Sequence, residues 1–149
     1  MNERSAFSVQ RSATSNVSNI QPPISDAILG VRNLRVVRAG VTILDIPELM
    51  VREGEVLSLI GPNGAGKTTL LQNVCHLHKR FEGEVLFRGK VIGKDYAVSD
   101  YRRRVAMVFQ EPLLFDTTVF KNVASGLKFR GVEKKDIERR VTENLERFG

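Results

Sequence analysis

One stretch of the sequence combines glycines, a lysine and a threonine at a spacing suited to binding phosphate. In chain order its residues are Gly61, Pro62, Asn63, Gly64, Ala65, Gly66, Lys67 and Thr68. Phosphate oxygens need several donors that converge on a small volume, and the glycines let the backbone turn its N–H groups inward. The stretch matches the pattern G-x-x-x-x-G-K-[ST] at every fixed position. It therefore predicts a P-loop, which is a site for nucleotide phosphates.

The residues at the end of this stretch each have a predicted role. Lys67 places a positive charge within reach of the β- and γ-phosphates. The hydroxyl of Thr68 is suited to ligate Mg²⁺, and Thr69 is suited to support the α-phosphate side. The alternative is a plain glycine turn followed by a surface lysine, but the neighbouring elements favour the phosphate site.

The elements on both sides of the loop are those that a phosphate site needs. Residues 55–60 form a short apolar run, which predicts a buried strand of a parallel sheet. Residues 67–76 have helical character, with Leu70, Leu71 and Val74 facing inward. A helix that begins at the loop adds its unpaired N–H groups and the positive end of its dipole to the site.

The remaining elements are assigned from hydrophobic periodicity and from turn residues. They are strands at 28–37, 41–46 and 105–109, a hairpin at 84–92, a helix from Thr117 or Thr118 to Phe129, and an amphipathic helix over 137–148. Residues 1–27 are rich in Ser, Asn and Gln and show neither helical nor strand periodicity, so we predict a disordered tail there. Glu3 and the lack of an amphipathic pattern disfavour a targeting peptide.

Composition indicates a globular chain without a membrane span of its own. The sequence has 149 residues, of which 42% are hydrophobic and 27% charged, and no apolar run approaches the roughly 18 residues that cross a bilayer. The formal charge of +6 could suggest nucleic acid, but the basic residues are scattered among acids and lack interleaved aromatics. We therefore predict no nucleic-acid partner; a basic surface beside an anionic membrane leaflet is an equally good interpretation.

Two other groups of residues could carry chemistry but predict none. Cys75, His76 and His78 lie close together, yet a metal site would need better spacing and further ligands. The basic cluster at residues 101–104 is interpreted as a solvated face. A single cysteine excludes an internal disulfide, which fits a cytoplasmic setting.

Several segments together resemble the ATP-binding subunits of ABC transporters, in that family's order and spacing over about residues 28–149. They are Arg52-Glu53-Gly54-Glu55, the loop with its extension to Leu70, Val108-Phe109-Gln110-Glu111-Pro112 with Leu113-Leu114-Phe115, Thr118-Val119, Asn122-Val123 and Gly126-Leu127. The resemblance implies an α/β fold: a P-loop NTPase core with an antiparallel β subdomain and the start of a helical subdomain, truncated. It implies a partial ABC ATP-binding domain over 28–149, divided into 28–110 and 111–149.

Two more site residues follow from the resemblance. Gln110 corresponds to the Q-loop glutamine, whose side-chain oxygen would contact Mg²⁺ and the attacking water; the alternative is a polar residue that ends a strand. Arg38 occupies the position where the family often places an aromatic ring against adenine. A guanidinium is able to stack on a purine, but more weakly than a ring, and an exposed strand arginine is an equally good interpretation.

The resemblance also implies ligands and partners. ATP and Mg²⁺ would be the cofactors, and a transmembrane permease subunit and a second ATP-binding subunit, forming a homodimer, would be the partners. The protein would lie in the cytoplasm, peripheral on the inner face of the cell membrane. The stretch from Phe115 to Lys128 resembles importer ATPases that serve tungstate or molybdate.

The family's later motifs do not occur in these residues. They are a signature that begins Leu-Ser-Gly-Gly, a strand that ends in an aspartate followed by a catalytic glutamate, and a switch histidine. Hydrolysis needs a residue that orients the attacking water. We therefore expect this chain alone to bind nucleotide weakly and to be inactive. Two alternatives stay open, a non-transport P-loop regulator and one half of a split ATPase.

Overall fold

The structure is a computed structural model that describes residues 7–12, 27–78, 81–111 and 113–148. The chain divides into two compact units, Met1–Met107 and Val108–Gly149. The elements of the first unit are β1 (Ser8–Ser12), β2 (Ala27–Arg38), β3 (Val41–Arg52), β4 (Val56–Ile60), α1 (Lys67–Val74), β5 (Glu82–Phe87), β6 (Lys90–Val91) and α2 (Val98–Arg102). Those of the second unit are α3 (Val119–Phe129) and α4 (Lys134–Phe148).

An antiparallel sheet in the order β3-β2-β5-β6 forms most of the first unit. Strands β2 and β3 make a hairpin that turns at Ala39 and Gly40, both of which have positive φ (48° and 77°). Two central residues with positive φ are typical of the tight turn whose twist matches paired strands, which is why a glycine is found there. The hairpin predicted around Gly40 and the one predicted at 84–92 are both confirmed.

The core of this unit lies between the sheet and α1. Leu34 and Val36 of β2 and Leu44 and Ile46 of β3 point into it at alternate positions, as expected for strands with one buried face. The buried members of the cluster are Val31, Leu34, Val36, Leu44, Ile46, Leu49, Leu70, Val74, Val85, Ile92 and Tyr101. Because Leu70 and Val74 belong to this cluster, the core fixes the helix that follows the P-loop.

Strand β4 leads directly into the P-loop, but it is not the buried parallel strand that the sequence predicted. Leu57 and Leu59 pack against the core, whereas Val56 and Ile60 are 64% and 47% exposed. In the described part of the chain β4 pairs antiparallel with β1. An apolar run is buried on both faces only when other elements cover both, and here one face is covered.

The disordered tail predicted over residues 1–27 is contradicted at Ser8–Ser12, which form β1 and pair with all of β4. Ala27 also departs from the prediction, because it begins β2. Backbone N–H and C=O groups along a strand edge pair with any extended segment, so a polar segment without apolar periodicity is able to form a strand there. Residues 1–6 and 13–26 lie outside the described residues.

Residues 105–109 were predicted to form a strand, and they have no regular secondary structure. Val108 is 94% exposed. The five residues are apolar enough for a strand, but a strand needs a paired neighbour, and none of the described strands pairs with them.

The second unit is a pair of helices around a small core of Ala124, Ile137 and Val141. Helix α3 begins after Thr118, whose hydroxyl accepts a hydrogen bond from the Lys121 amide at 3.3 Å. This is the N-cap that the sequence predicted. None of the helices in the described residues of either unit is long and apolar enough to cross a membrane.

Candidate functional site

The P-loop connects β4 to α1 through two glycines in the left-handed region. Gly64 has φ 82° and Gly66, the N-cap of α1, has φ 88°. This region is costly for residues with a side chain, which explains why glycines occupy these positions. Gly61 was expected to share that role, but it is not among the residues with positive φ.

The N-terminal end of α1 is left open by the protein. The first helical hydrogen bond runs from the Leu70 amide to the Gly66 carbonyl oxygen at 2.8 Å, so the amides before Leu70 precede the helical ladder. No side chain caps this end among the described residues, and its first turn contains no acidic residue. Unpaired N–H groups and the positive end of the helix dipole make such an end favourable for an anion.

Lys67 is folded back onto the loop. Its Nζ atom donates hydrogen bonds to the carbonyl oxygens of Gly61 and Pro62, both at 2.7 Å. These two bonds hold the ammonium group at the loop. An ammonium group has three donors, so one remains for a phosphate oxygen. Lys67 is thus already positioned beside the open end of α1.

The hydroxyl-bearing residues after Lys67 differ in their surroundings. Thr68 is exposed and Thr69 is half-buried. The described residues contain no group of three or more His, Cys, Asp or Glu side chains that could hold a metal ion. A Mg²⁺ ion here would therefore rely on the Thr68 hydroxyl, phosphate oxygens and water, a donor set that suits this ion.

The sequence did not identify a buried asparagine that supports the site. Asn73 is fully buried on α1, and its Nδ2 atom donates to the Thr69 carbonyl oxygen at 2.7 Å. It lies three residues after Leu70, which is the spacing of a buried helix face, but its polar side chain hid that signal. Leu71, predicted to face inward, is exposed.

Two neighbouring residues of α2 bind the other end of α1. The Tyr101 hydroxyl donates to the Val74 carbonyl oxygen at 2.9 Å, and the Arg102 guanidinium donates to the His76 carbonyl oxygen. Burial raises the pKa of Tyr101, so its hydroxyl stays a donor. The interpretation of residues 101–104 as a solvated face is therefore wrong for Tyr101, which is fully buried.

Arg38 lies exposed at the end of β2 and contacts the segment that follows α1. Its Nη2 atom is 3.4 Å from His78 Nε2, which in turn is 2.8 Å from Gln72 Oε1. These contacts relate Arg38 to the C-terminal part of α1. A role for Arg38 against adenine stays a prediction.

Gln110 belongs to the second unit, where it is exposed at a bend beside Glu111. The P-loop belongs to the first unit. The predicted contact of Gln110 with Mg²⁺ and the attacking water therefore stays a prediction. The roles of the P-loop residues in binding nucleotide also stay predictions.

Known proteins are similar to this chain in sequence and in fold. The ABC transporter family model matches residues 44–149. Tungstate uptake system ATP-binding protein TupC of Peptoclostridium acidaminophilum is 40% identical over 119 residues, which are 80% of this chain and 53% of that protein. Methionine import ATP-binding protein MetN of Halalkalibacterium halodurans is 38% identical over 124 residues, 80% of this chain and 37% of that protein. The structure of cbiO1 from Clostridium perfringens, part of the ABC transporter complex cbiONQ, matches with a TM-score of 0.64 and 32% identity, over 82% of this chain and 50% of that chain.

The fold and the open P-loop thus define a nucleotide-binding domain of the P-loop class. Because the family model matches most of the chain, the protein belongs to the ABC transporter family, among its ATP-binding proteins. The predicted family and α/β fold class are confirmed. The chain spans about half the length of TupC and of cbiO1.

Proposed function

We propose that the protein is the ATP-binding component of an ABC transporter and couples the binding and hydrolysis of MgATP to transport. The observation that carries this proposal is the open N-terminal end of α1 with the Lys67 ammonium beside it, held by the Gly61 and Pro62 carbonyl oxygens. An uncapped helix end next to a fixed cation favours a polyphosphate.

Four residues of the loop then have separate tasks. Gly64 and Gly66 keep the backbone in the left-handed conformations that shape the loop. The amides at the start of α1 donate to phosphate oxygens, and Lys67 adds its charge. Thr68 ligates Mg²⁺, which neutralises phosphate charge when it is bound with the nucleotide.

Binding of MgATP to the purified chain tests the loop's role. Isothermal titration should detect binding, which we expect to be weak, and Lys67→Ala should reduce it. Lys128→Ala, a change to a lysine of α3 in the second unit, is the matched control and should leave the affinity unchanged. Equal affinities for the unmodified chain and Lys67→Ala would count against the proposal. We expect no turnover above the Lys67→Ala background.

We propose import of a small solute or oxyanion as the transport function. The names of TupC, a tungstate uptake protein, and MetN, a methionine import protein, support import. Tungstate uptake by the source cells, compared with the same cells lacking the gene, tests the oxyanion. Uptake that is unchanged without the gene would exclude tungstate as the cargo.

We propose that the second unit binds a transmembrane permease subunit, and the surface of this unit supports a protein partner. Exposed apolar side chains gather in the segment that precedes α3 and on α3 itself; among them are Val108, Leu113, Leu114, Phe115, Val119 and Val123. Soluble surfaces seldom expose that many apolar side chains in one segment unless a protein or membrane covers them. A second ATP-binding subunit, forming a homodimer, and a position on the cytoplasmic face of the membrane complete the proposal.

Co-purification tests the permease. The tagged protein extracted from membranes should bring a multi-span membrane protein with it, and Leu114→Asp should abolish that association. Phe148→Asp at the end of α4 changes an exposed apolar residue outside this surface in the same way and should leave the association intact. Retention of the membrane protein by Leu114→Asp would argue against this surface.

A further inference from the structure

The histidine that follows α1 is packed as an aromatic ring rather than as a hydrogen-bonding group. His76 has φ 53°, in a region that is uncommon for residues other than glycine. Its ring centroid lies 5.4 Å from that of Phe81 and 6.0 Å from that of Tyr101, with both pairs edge-to-face. Its Nε2 atom is buried and has no hydrogen-bond partner among the described residues. The ring therefore fills space between two other rings and leaves one polar atom unsatisfied.

The backbone on both sides of this ring is held by α2. Tyr101 donates to the Val74 carbonyl and Arg102 donates to that of His76 itself. The ring of His76 thus lies against the residue pair that binds the C-terminal end of α1. The guanidinium of Arg102 is the charged group that acts on the ring.

We propose that His76 is a proton-sensitive latch between α1 and α2, that is, a residue whose neutral ring keeps α2 packed on the end of α1 and whose protonation weakens that packing. With a neutral ring, Tyr101 and Arg102 stay docked on the end of α1. In the protonated ring both nitrogens carry a proton, so the buried Nε2 becomes a donor without an acceptor among the described residues, and a cation stands beside the Arg102 cation. Both effects favour separation of α2 from α1, so acid should loosen the end of the P-loop helix.

The direction of the pH dependence follows from the surroundings of the ring. Burial, and then the charge of Arg102, lower the pKa of His76 in the folded protein. The unfolded chain, with an ordinary histidine pKa of about 6.5, therefore takes up the proton first. The stability contributed by the neutral ring is fully present above about pH 6.5 and is lost as the pH falls through the lowered folded value.

The other titratable groups around the ring do not change charge in this interval. Burial raises the pKa of the Cys75 thiol, so it stays protonated. The pKa of the Tyr101 hydroxyl is raised as well, chiefly by burial. Phe81, which precedes β5, contributes an uncharged ring. His76 is thus the group in this cluster that responds to mild acid.

Proton NMR of the full chain tests the latch directly, because the sequence contains only two histidines. His78→Asn removes one imidazole signal and assigns the other to His76. The His76 signal should titrate with a midpoint below about 6.5, and Arg102→Gln should move that midpoint upward. A His76 midpoint at or above about 6.5 in the unmodified chain would overturn the proposal.

Thermal unfolding supplies the second readout. The Tm of the unmodified chain and of His78→Asn should fall between about pH 7.5 and pH 5.5. The Tm of His76→Asn should fall distinctly less over the same pH range, because asparagine carries no group that takes up a proton. Asparagine also accepts the left-handed backbone conformation of this position. The change of Tm with pH is compared between the variants rather than the Tm itself, because the loss of ring packing lowers the Tm of His76→Asn at every pH. If acid lowers the Tm of His76→Asn as much as that of the unmodified chain, the latch is contradicted. If His76→Asn does not fold, the NMR titration alone tests the proposal.

Discussion

The two ends of α1 satisfy their backbone groups in opposite ways. At the C-terminal end the protein supplies the partners, because Tyr101 and Arg102 donate to the carbonyl oxygens of Val74 and His76. At the N-terminal end no described side chain caps the helix. Helix ends carry unpaired groups that need partners. The end that the protein completes is structural, and the end that it leaves open is where a ligand is expected to bind.

Helix α3 sharpens the contrast because its N-terminal end is closed. Thr118 caps it through the Lys121 amide, and the Asn122 side chain bonds the backbone of Phe115 in both directions, at 2.8 and 3.0 Å. A helix start closed by its own side chains has fewer free donors for an anion. Two helix starts in one chain thus differ in the property that a phosphate site requires.

Lys67→Ala should have the largest effect on nucleotide binding. The change removes the charged side chain that donates to the carbonyl oxygens of Gly61 and Pro62, and a hydrogen bond to a charged group contributes about 1.5–3 kcal/mol. The affinity for MgATP should fall about 10- to 100-fold, as measured by titration calorimetry. Circular dichroism should show unchanged secondary structure, and an affinity that falls less than about threefold would contradict the role of Lys67.

Tyr101→Phe should have the largest effect on stability at the closed end. The ring remains in the core, but the Val74 carbonyl loses its donor in a buried place. An unsatisfied buried polar group costs about 1–3 kcal/mol, so urea unfolding should show a loss of that size. Tyr96→Phe, a change to the half-buried tyrosine before α2, is the matched control. A loss no greater than that of the control would mean that the α1–α2 bond contributes little.

Gly64→Ala should disturb the open end by backbone strain alone. An added Cβ atom would meet nothing within 4 Å, so sterics against neighbours are not the cause. The positive φ of 82° disfavours alanine by about 1–2 kcal/mol. Both the free energy of unfolding and the MgATP affinity should fall. Gly126→Ala, within α3, also meets open space and should not lower the stability.

How far the sequence predicted this arrangement depends on how local each feature is. The loop, the turn at Gly40 and the Thr118 cap depend on a few adjacent residues whose chemistry is explicit. Strand β1 was missed because its pairing with β4 uses backbone groups that any sequence supplies. Two predictions were wrong, that β4 is buried on both faces and that residues 105–109 form a strand. Both features depend on distant neighbours, which periodicity does not specify.

The same reasoning explains what was missed at the closed end of α1. Tyr101 belongs to a basic cluster in the sequence, and its bond to Val74 joins residues 27 positions apart. Asn73 sits on a buried helix face where an apolar residue would have been recognised. Contacts between distant polar residues leave no periodic signal, so the sequence predicted the open end of α1 better than the closed one.

Thr118→Ala should have the smallest effect and tests whether the closed start of α3 is purely structural. Loss of an N-cap hydroxyl costs about 1 kcal/mol, and the 3.3 Å bond to the Lys121 amide is a long one, so the change in unfolding free energy should not exceed that value. Thr118→Ser, which keeps the hydroxyl, should restore the stability. The MgATP affinity should match that of the unmodified chain, because an end that the protein caps itself has no ligand to lose. A reduced affinity in Thr118→Ala but not in Thr118→Ser would show that α3 responds to the nucleotide, and the contrast between closed and open helix starts would then fail.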